Sequence, residues 1–225
     1  MSVFGGPHEV TSGLVASWDA ANPRSYPGSG TTWNDLSGNN LTMTTSGSPT
    51  FSSGNFAFNG STQYASAANS TLLDNQTFTI SVWAKTNATT QTGFWFEKGQ
   101  VNTQYALFQE GAVIKCRVNT GSFVDTIAPT TANYIDTVNW FNVVFTFVTG
   151  SQVCYINSAV AGTGTTAGTL ATNTGGMSIG TYGGQTGAHA YYYNGNIAVV
   201  SVYNRVLTAT EVKQNYNALR YRFGI

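Results

Sequence analysis

Trp140-Phe141-Asn142-Val143-Val144-Phe145-Thr146-Phe147-Val148 is the stretch that decides the fold class. Phe141, Val143, Phe145 and Phe147 fall at every second position, so an extended chain puts all four on one face. Just beyond it, Gly150-Ser151 reads as a turn into Gln152-Val153-Cys154-Tyr155-Ile156-Asn157, which predicts a hairpin. Upstream, Phe78-Thr79-Ile80-Ser81-Val82-Trp83-Ala84 alternates strictly, with Phe78, Ile80, Val82 and Ala84 on one side and Thr79, Ser81 and Trp83 on the other.

Further strands are predicted at Leu14–Trp18, Phe94-Trp95-Phe96, Tyr105–Phe108, Val113–Val118, Met177–Gly180 and Gly195–Tyr203. Phe56-Ala57-Phe58 precedes Asn59-Gly60, a pair that tolerates positive φ and therefore suits a hairpin turn. Asn22 to Asn40 reads as a long ordered loop, pinned by Trp33 and Leu36, and Gly162 to Gly176 as a long surface loop of Gly, Thr and Ala. One helix is predicted, from the capping box Thr208-Ala209-Thr210-Glu211 with Leu207 and Val212 as its hydrophobic staple. It runs to about Ala218 and buries Val212 with Tyr216 or Leu219. Many strands and one short helix give an all-β, two-sheet antiparallel jelly-roll sandwich. Residues 1–12, broken by Gly5-Gly6-Pro7, read as an N-terminal arm, and residues 13–225 as the domain.

Charged residues are 8% of the 225 and the net charge is zero. A soluble domain usually carries about 25%. The polar surface must come from Ser, Thr, Asn, Gln and Gly, which hydrogen-bond without a strong field. No basic stripe offers a grip on nucleic acid. No apolar run reaches the roughly 20 residues a membrane span needs, and the first residues lack the pattern of a secretory signal. Cys116 and Cys154 lie in strand-like runs and read as free, buried thiols, with one strained or late-forming bridge as the alternative.

The closing stretch Gly195-Asn196-Ile197-Ala198 through Val202-Tyr203-Asn204-Arg205-Val206-Leu207-Thr208, with Glu211 and Asn215-Tyr216, resembles the end of concanavalin A-like, laminin-G-like domains. Phe58-Asn59-Gly60-Ser61-Thr62-Gln63-Tyr64 is similar to that family's F-D-G-x-x-D-Y hairpin, Phe78 to Lys85 to its F-T-I-S-x-W strand, and Trp140 to Phe147 to its W-x-x-V-x-x-x-F strand. Cys154-Tyr155-Ile156-Asn157 resembles its x-Y-V-N-G hairpin. The opening, Gly13-Leu14-Val15, Asp19–Pro23, Ser25-Tyr26 and Trp33–Gly38, and the closing Tyr216–Leu219 and Arg222–Ile225 resemble laminin-G-like virion proteins of tailed bacteriophages. The resemblance implies a virion structural protein on the particle surface, folded in the host cytoplasm and exposed after lysis. Its expected partners are other virion proteins, a host surface polysaccharide, and further copies of the chain. A carbohydrate-binding adhesin is the alternative.

Some members of the family hold calcium through carboxylates. Here Asn59 and Gln63 replace the hairpin's acids, so no metal and no cofactor is expected. Enzymes of this fold carry an E-x-D-x-x-E run, which this sequence lacks. Glu97 and Glu110 stand alone near strand ends, Glu97 as a solvated or salt-bridged turn residue, and no catalytic residue is assigned. The candidate contact residues lie in the aromatic loop: Tyr182, His189, Tyr191, Tyr192 and Tyr193. Tyrosine rings can stack on sugar faces or anchor a protein contact. Trp83 and Trp95 are candidates for an outward position.

Overall fold

The computed structural model describes residues 7–100, 103–128 and 135–225. Residues 1–6, half of the predicted arm, lie outside them. The described residues fold into two eight-stranded antiparallel sheets with one α-helix, α1 (Ala209–Leu219). In the first sheet the order is β14 (Ala159–Gly164), β13 (Ser151–Ile156), β12 (Phe141–Val148), β7 (Phe78–Thr86), β16 (Asn194–Tyr203), β5 (Asn55–Asn59) and β4 (Thr50–Ser52). The remaining strand, β1 (Leu14–Asp19), also pairs with β16. In the second the order is β11 (Phe123–Ala128), β10 (Val113–Asn119), β9 (Tyr105–Gly111), β8 (Gln91–Lys98), β15 (Met177–Ile179), β6 (Tyr64–Ala67), β3 (Met43–Ser46) and β2 (Thr32–Trp33).

The core is where the alternation placed it. Phe141, Val143, Phe145 and Phe147 are buried and lie beside Ala84, Val82, Ile80 and Phe78 of β7, in register. Tyr105 and Leu107 of β9 and Cys116 and Val118 of β10 complete the core from the other sheet. Phe78 stacks on Tyr105 at 4.1 Å between ring centres, one of the contacts that join the two layers. Full burial of each such side chain contributes about 1.5–3 kcal/mol. The thiols of Cys116 and Cys154 meet between the sheets, both free and buried. Burial, then contact with Cys154, pushes the Cys116 thiol well above its usual range.

The helix forms as the capping box requires. Thr208 Oγ1 accepts from the Glu211 N–H at 3.2 Å, and the Glu211 carboxylate accepts from the Thr208 N–H at 2.8 Å. Arg205 donates to the same carboxylate at 2.6 Å, and this pair with the backbone bond holds Glu211 down to about 2. Leu207 and Val212 are buried together. Past α1, a 3-10 turn at Arg220–Phe223 returns over the first sheet. Trp83 points out of that sheet, as the alternation predicts, yet it is 1% exposed because Tyr216 and Phe223 stack on it. The outer face of the first sheet is therefore covered here. Part of the predicted arm itself is held against α1: Asn215 Oδ1 accepts from the Val10 N–H at 2.7 Å, and Gln214 donates to the His8 carbonyl at 2.7 Å.

Two local expectations are corrected. Asn59-Gly60 does not close a hairpin, because β5 and β6 belong to different sheets. The chain crosses between layers there, and Asn59 Oδ1 organises the crossing by accepting from the Ser61 and Thr62 N–H groups. Gly162 to Gly176 is not all loop, since its first residues finish β14. Gly162 lets the edges of the two sheets meet: a Cβ there would lie 2.4 Å from the Ile127 carbonyl oxygen of β11. No helix among the described residues is long and apolar enough to cross a membrane.

Candidate functional site

Phe94, Trp95 and Phe96 are consecutive on β8, and a regular strand would send Trp95 opposite to its neighbours. The pairing with β9 runs Phe94↔Phe108 and then Phe96↔Leu107, so one residue of β8 is extra. This bulge lets Trp95 and Phe96 both enter the core. Trp95, a candidate for the outside, instead packs edge-on against Phe141 at 5.4 Å and Tyr193 at 6.0 Å. Phe94 is left on the outer face of the second sheet, where it lies flat on Phe108, 4.5 Å apart with an interplanar angle of 3°.

The stack extends sideways. Arg117 of β10 places its guanidinium 4.7 Å from the Phe108 ring centre and 4.8 Å from that of Phe123 on β11. Above the floor hangs the loop between β15 and β16. Its Tyr182 meets Phe94 edge-on at 5.4 Å, and Tyr191 stands 6.0 Å from Tyr182. Thr92 and Glu110 complete the lining of a cavity of about 520 Å³. That size is within the range of small-molecule sites, roughly 300–1,000 Å³. Tyr191 and Phe123 are 56% and 48% exposed at the rim.

The charges beside this cavity are paired. Asp125, directly across from Arg117, takes a two-pronged bond from it at 2.7 and 2.8 Å. Lys115 pairs with Glu110 and with Asp125, the latter at 3.4 Å. Burial works to raise the Asp125 carboxyl, but Arg117 and Lys115 outweigh it and hold it below the usual range. Two cations and two carboxylates cancel, so the lining offers rings and hydroxyls with little net field. Among the described residues, no three His, Cys, Asp or Glu side chains gather as a metal site would need.

Of the five residues singled out in the aromatic loop, the structure brings Tyr182 and Tyr191 to the cavity. His189 and Tyr192 face elsewhere and cluster with Tyr64, 4.0 and 6.3 Å from it. Tyr193 is fully buried in the core. The separation follows from backbone geometry, since Tyr191 has φ of 50° and the chain turns sharply there. Missed from the sequence were Thr92, Phe94, Phe108, Glu110, Arg117 and Phe123. A signal existed: Phe108 alternates with the core residue Leu107, and Arg117 with Cys116 and Val118, so both point outward.

Glu97 also needs correction. It is neither solvated nor salt-bridged but fully buried on β8. Its carboxylate accepts from Thr103 Oγ1 at 2.6 Å, the Gly183 N–H at 2.6 Å, the Gly184 N–H at 3.2 Å and Ser178 Oγ at 3.5 Å. Burial pushes it up to about 7 against these hydrogen bonds. Neighbouring Lys98, equally buried, pairs with Asp74 at 3.1 Å. Charged residues at a strand end suggest a turn, but the chain that follows β8, β15 and the aromatic loop cover this one.

A family model described as the concanavalin A-like lectin/glucanases superfamily matches residues 59–213. The chain belongs to this superfamily. No curated protein matches the sequence. Among solved structures, this superfamily member is similar to domain 4 of AbnA, a GH43 extracellular arabinanase from Geobacillus stearothermophilus, in complex with arabinotriose. The TM-score is 0.70 at 18% identity, covering 90% of this chain and 98% of that domain. It is also similar to the binding domain of botulinum neurotoxin DC in complex with rat synaptotagmin II, with a TM-score of 0.74 at 15% identity, covering 95% of this chain and 53% of the other. A Trypanosoma rangeli sialidase in complex with sialic acid has a TM-score of 0.67 at 14% identity, covering 93% and 33%. At these identities the likeness shows the fold alone. The chain spans nearly all of the arabinanase domain but about half of the toxin binding domain.

Proposed function

We propose that this domain binds a neutral saccharide in the cavity over Phe94 and Phe108 and does not cleave it. The observation that carries the reading is a sugar-sized cavity walled by aromatic rings and bordered by charges already paired with each other. The C–H faces of a sugar ring pack on such rings, and hydroxyls of Thr92, Tyr182 and Tyr191 can bond its hydroxyls. The structural likeness to proteins in complex with arabinotriose and with sialic acid supports a saccharide as ligand. The balance of charge favours the neutral kind, because the positive charges of Arg117 and Lys115 are already balanced by Asp125 and Glu110.

A non-catalytic role is supported by the state of the acids. Hydrolysis needs two carboxyl groups flanking the scissile bond, roughly 5–10 Å apart. Glu110 is the carboxylate on the cavity lining and is tied to Lys115. Glu97 is engaged beneath the loop. The test is an array of neutral, sialylated and uronate-containing oligosaccharides, followed by calorimetry on the hits. Saturable binding to neutral members is expected. Preference for the acidic members, no binding at all, or release of reducing ends would sink the reading.

Display on a phage particle is a second reading. What supports it is that the opening and closing stretches resembling phage proteins meet in space: Arg222 bonds Asp19 at 2.7 Å. Antibody labelling of purified particles is expected to decorate their surface; unlabelled particles from a lysate containing the protein would exclude it.

A further inference from the structure

We propose that Glu97 is the positioning residue of the cavity: its buried carboxylate fixes Tyr182 over Phe94 by holding the loop from below. Three contacts converge on this role. The carboxylate receives the N–H groups of Gly183 and Gly184, the two residues that follow Tyr182. It receives the hydroxyl of Thr103, and a side-chain hydrogen bond joins Thr103 to Tyr182. Thr103 donates its one hydroxyl proton to Glu97 and therefore accepts from the Tyr182 hydroxyl. One buried group thus grips Tyr182 through its backbone on one side and through its ring on the other.

The loop is shaped for this grip. Gly183 and Gly184 have φ of 122° and 57°, and a Cβ on Gly184 would lie 2.1 Å from the Gly99 carbonyl oxygen, so only glycine brings these N–H groups down to the acid. The Tyr182 N–H and carbonyl both bond Ala190, closing the loop into a small ladder just before Tyr191. Position is therefore passed from Glu97 to both rim tyrosines. Among the described residues, no ionised side chain faces Glu97. Its strand neighbours are Ala106 and Ser178, and Lys98 is turned to Asp74. From the loop, Tyr182 and His189 are the titratable groups nearby, and desolvation first of all keeps His189 below its ordinary value.

The consequence for binding rests on the saccharide reading; the positioning role does not, and the tests separate them. Without ligand, the amide resonances of Gly183 and Gly184 in the wild-type protein are expected to titrate with a midpoint near 7, following Glu97. In Glu97→Gln the step near 7 is expected to disappear. In Glu97→Ala their hydrogen exchange is expected to rise about tenfold or more while the amides of β12 are unchanged. With a neutral oligosaccharide, Glu97→Ala is expected to weaken binding about tenfold, and Glu97→Gln, which keeps a carbonyl oxygen for the two glycines, to restore it to within about threefold. If Glu97→Ala does not fold, the wild-type titration and Glu97→Gln still decide. Gly183 and Gly184 amides that ignore the protonation of Glu97, or exchange equally fast with and without its carboxylate, would overturn the positioning role even if saccharide binds. If no saccharide binds but the amides behave as stated, the role stands and the saccharide reading falls.

Discussion

Trp83→Ala is expected to cost about 3–5 kcal/mol of folding stability, the usual range for emptying a large aromatic site. Trp83 is the one ring of β7 that leaves the sheet on the outer side and is nevertheless buried. Phe223 lies 4.2 Å from it and nearly parallel, and Tyr216 stacks at 5.7 Å with an interplanar angle of 6°. Removing the indole empties the site under both and leaves the C-terminal segment held by Val212, by the Asn215 bond to Val10 and by the Arg222 bonds to Asp19 and the Gly54 carbonyl. The change should appear in chemical denaturation as a lower midpoint with an unchanged slope. It should also appear as faster hydrogen exchange in α1 and in the turn that follows. Saccharide binding to whatever fraction is folded should not change, because the cavity lies on the outer face of the other sheet. A stability loss under about 1 kcal/mol would mean that Tyr216 and Phe223 are not held by this stack.

The second large effect is on binding. Tyr191→Ala should weaken the complex with a neutral oligosaccharide about tenfold, the equivalent of 1.4 kcal/mol. Stability should move by less than about 0.5 kcal/mol, because more than half of this ring is exposed and little packing is lost. Tyr192→Ala is the control. Its neighbour in sequence has a similar ring, but it sits with Tyr64 and His189 away from the cavity. Titration calorimetry on the two variants should show a loss for Tyr191→Ala and a change within about twofold for Tyr192→Ala. Equal losses in both, or a loss only in Tyr192→Ala, would move the ligand to the other cluster.

The contrast between these tyrosines shows what reading in one dimension misses. Tyr191, Tyr192 and Tyr193 are chemically equivalent in the sequence, yet one lines the cavity, one joins a neighbouring cluster and one fills the core. The left-handed backbone at Tyr191 and the start of β16 at Asn194 decide which is which. Similarly, Phe94-Trp95-Phe96 announces a buried strand, but which ring escapes depends on a bulge created by pairing with β9. Glu97 is the clearest case. An isolated acid beside a lysine suggests solvent, and only a loop that begins more than 80 residues later, with two glycines free to approach, makes its burial tolerable.

The sequence alone was sufficient for the sandwich, the core faces of β7 and β12, the hairpin into β13 and the capped helix. Each of these depends on side-chain periodicity or on hydrogen bonds between residues a few positions apart, and such information is local. The tertiary structure alone decided that β5 and β6 part into different layers, that Trp83 is roofed by the C-terminal turn, and that a phenylalanine stack, an arginine and two tyrosines meet around one cavity. Those outcomes depend on register and on contacts between strands distant in the chain, where a shift of one residue sends a side chain to the opposite face.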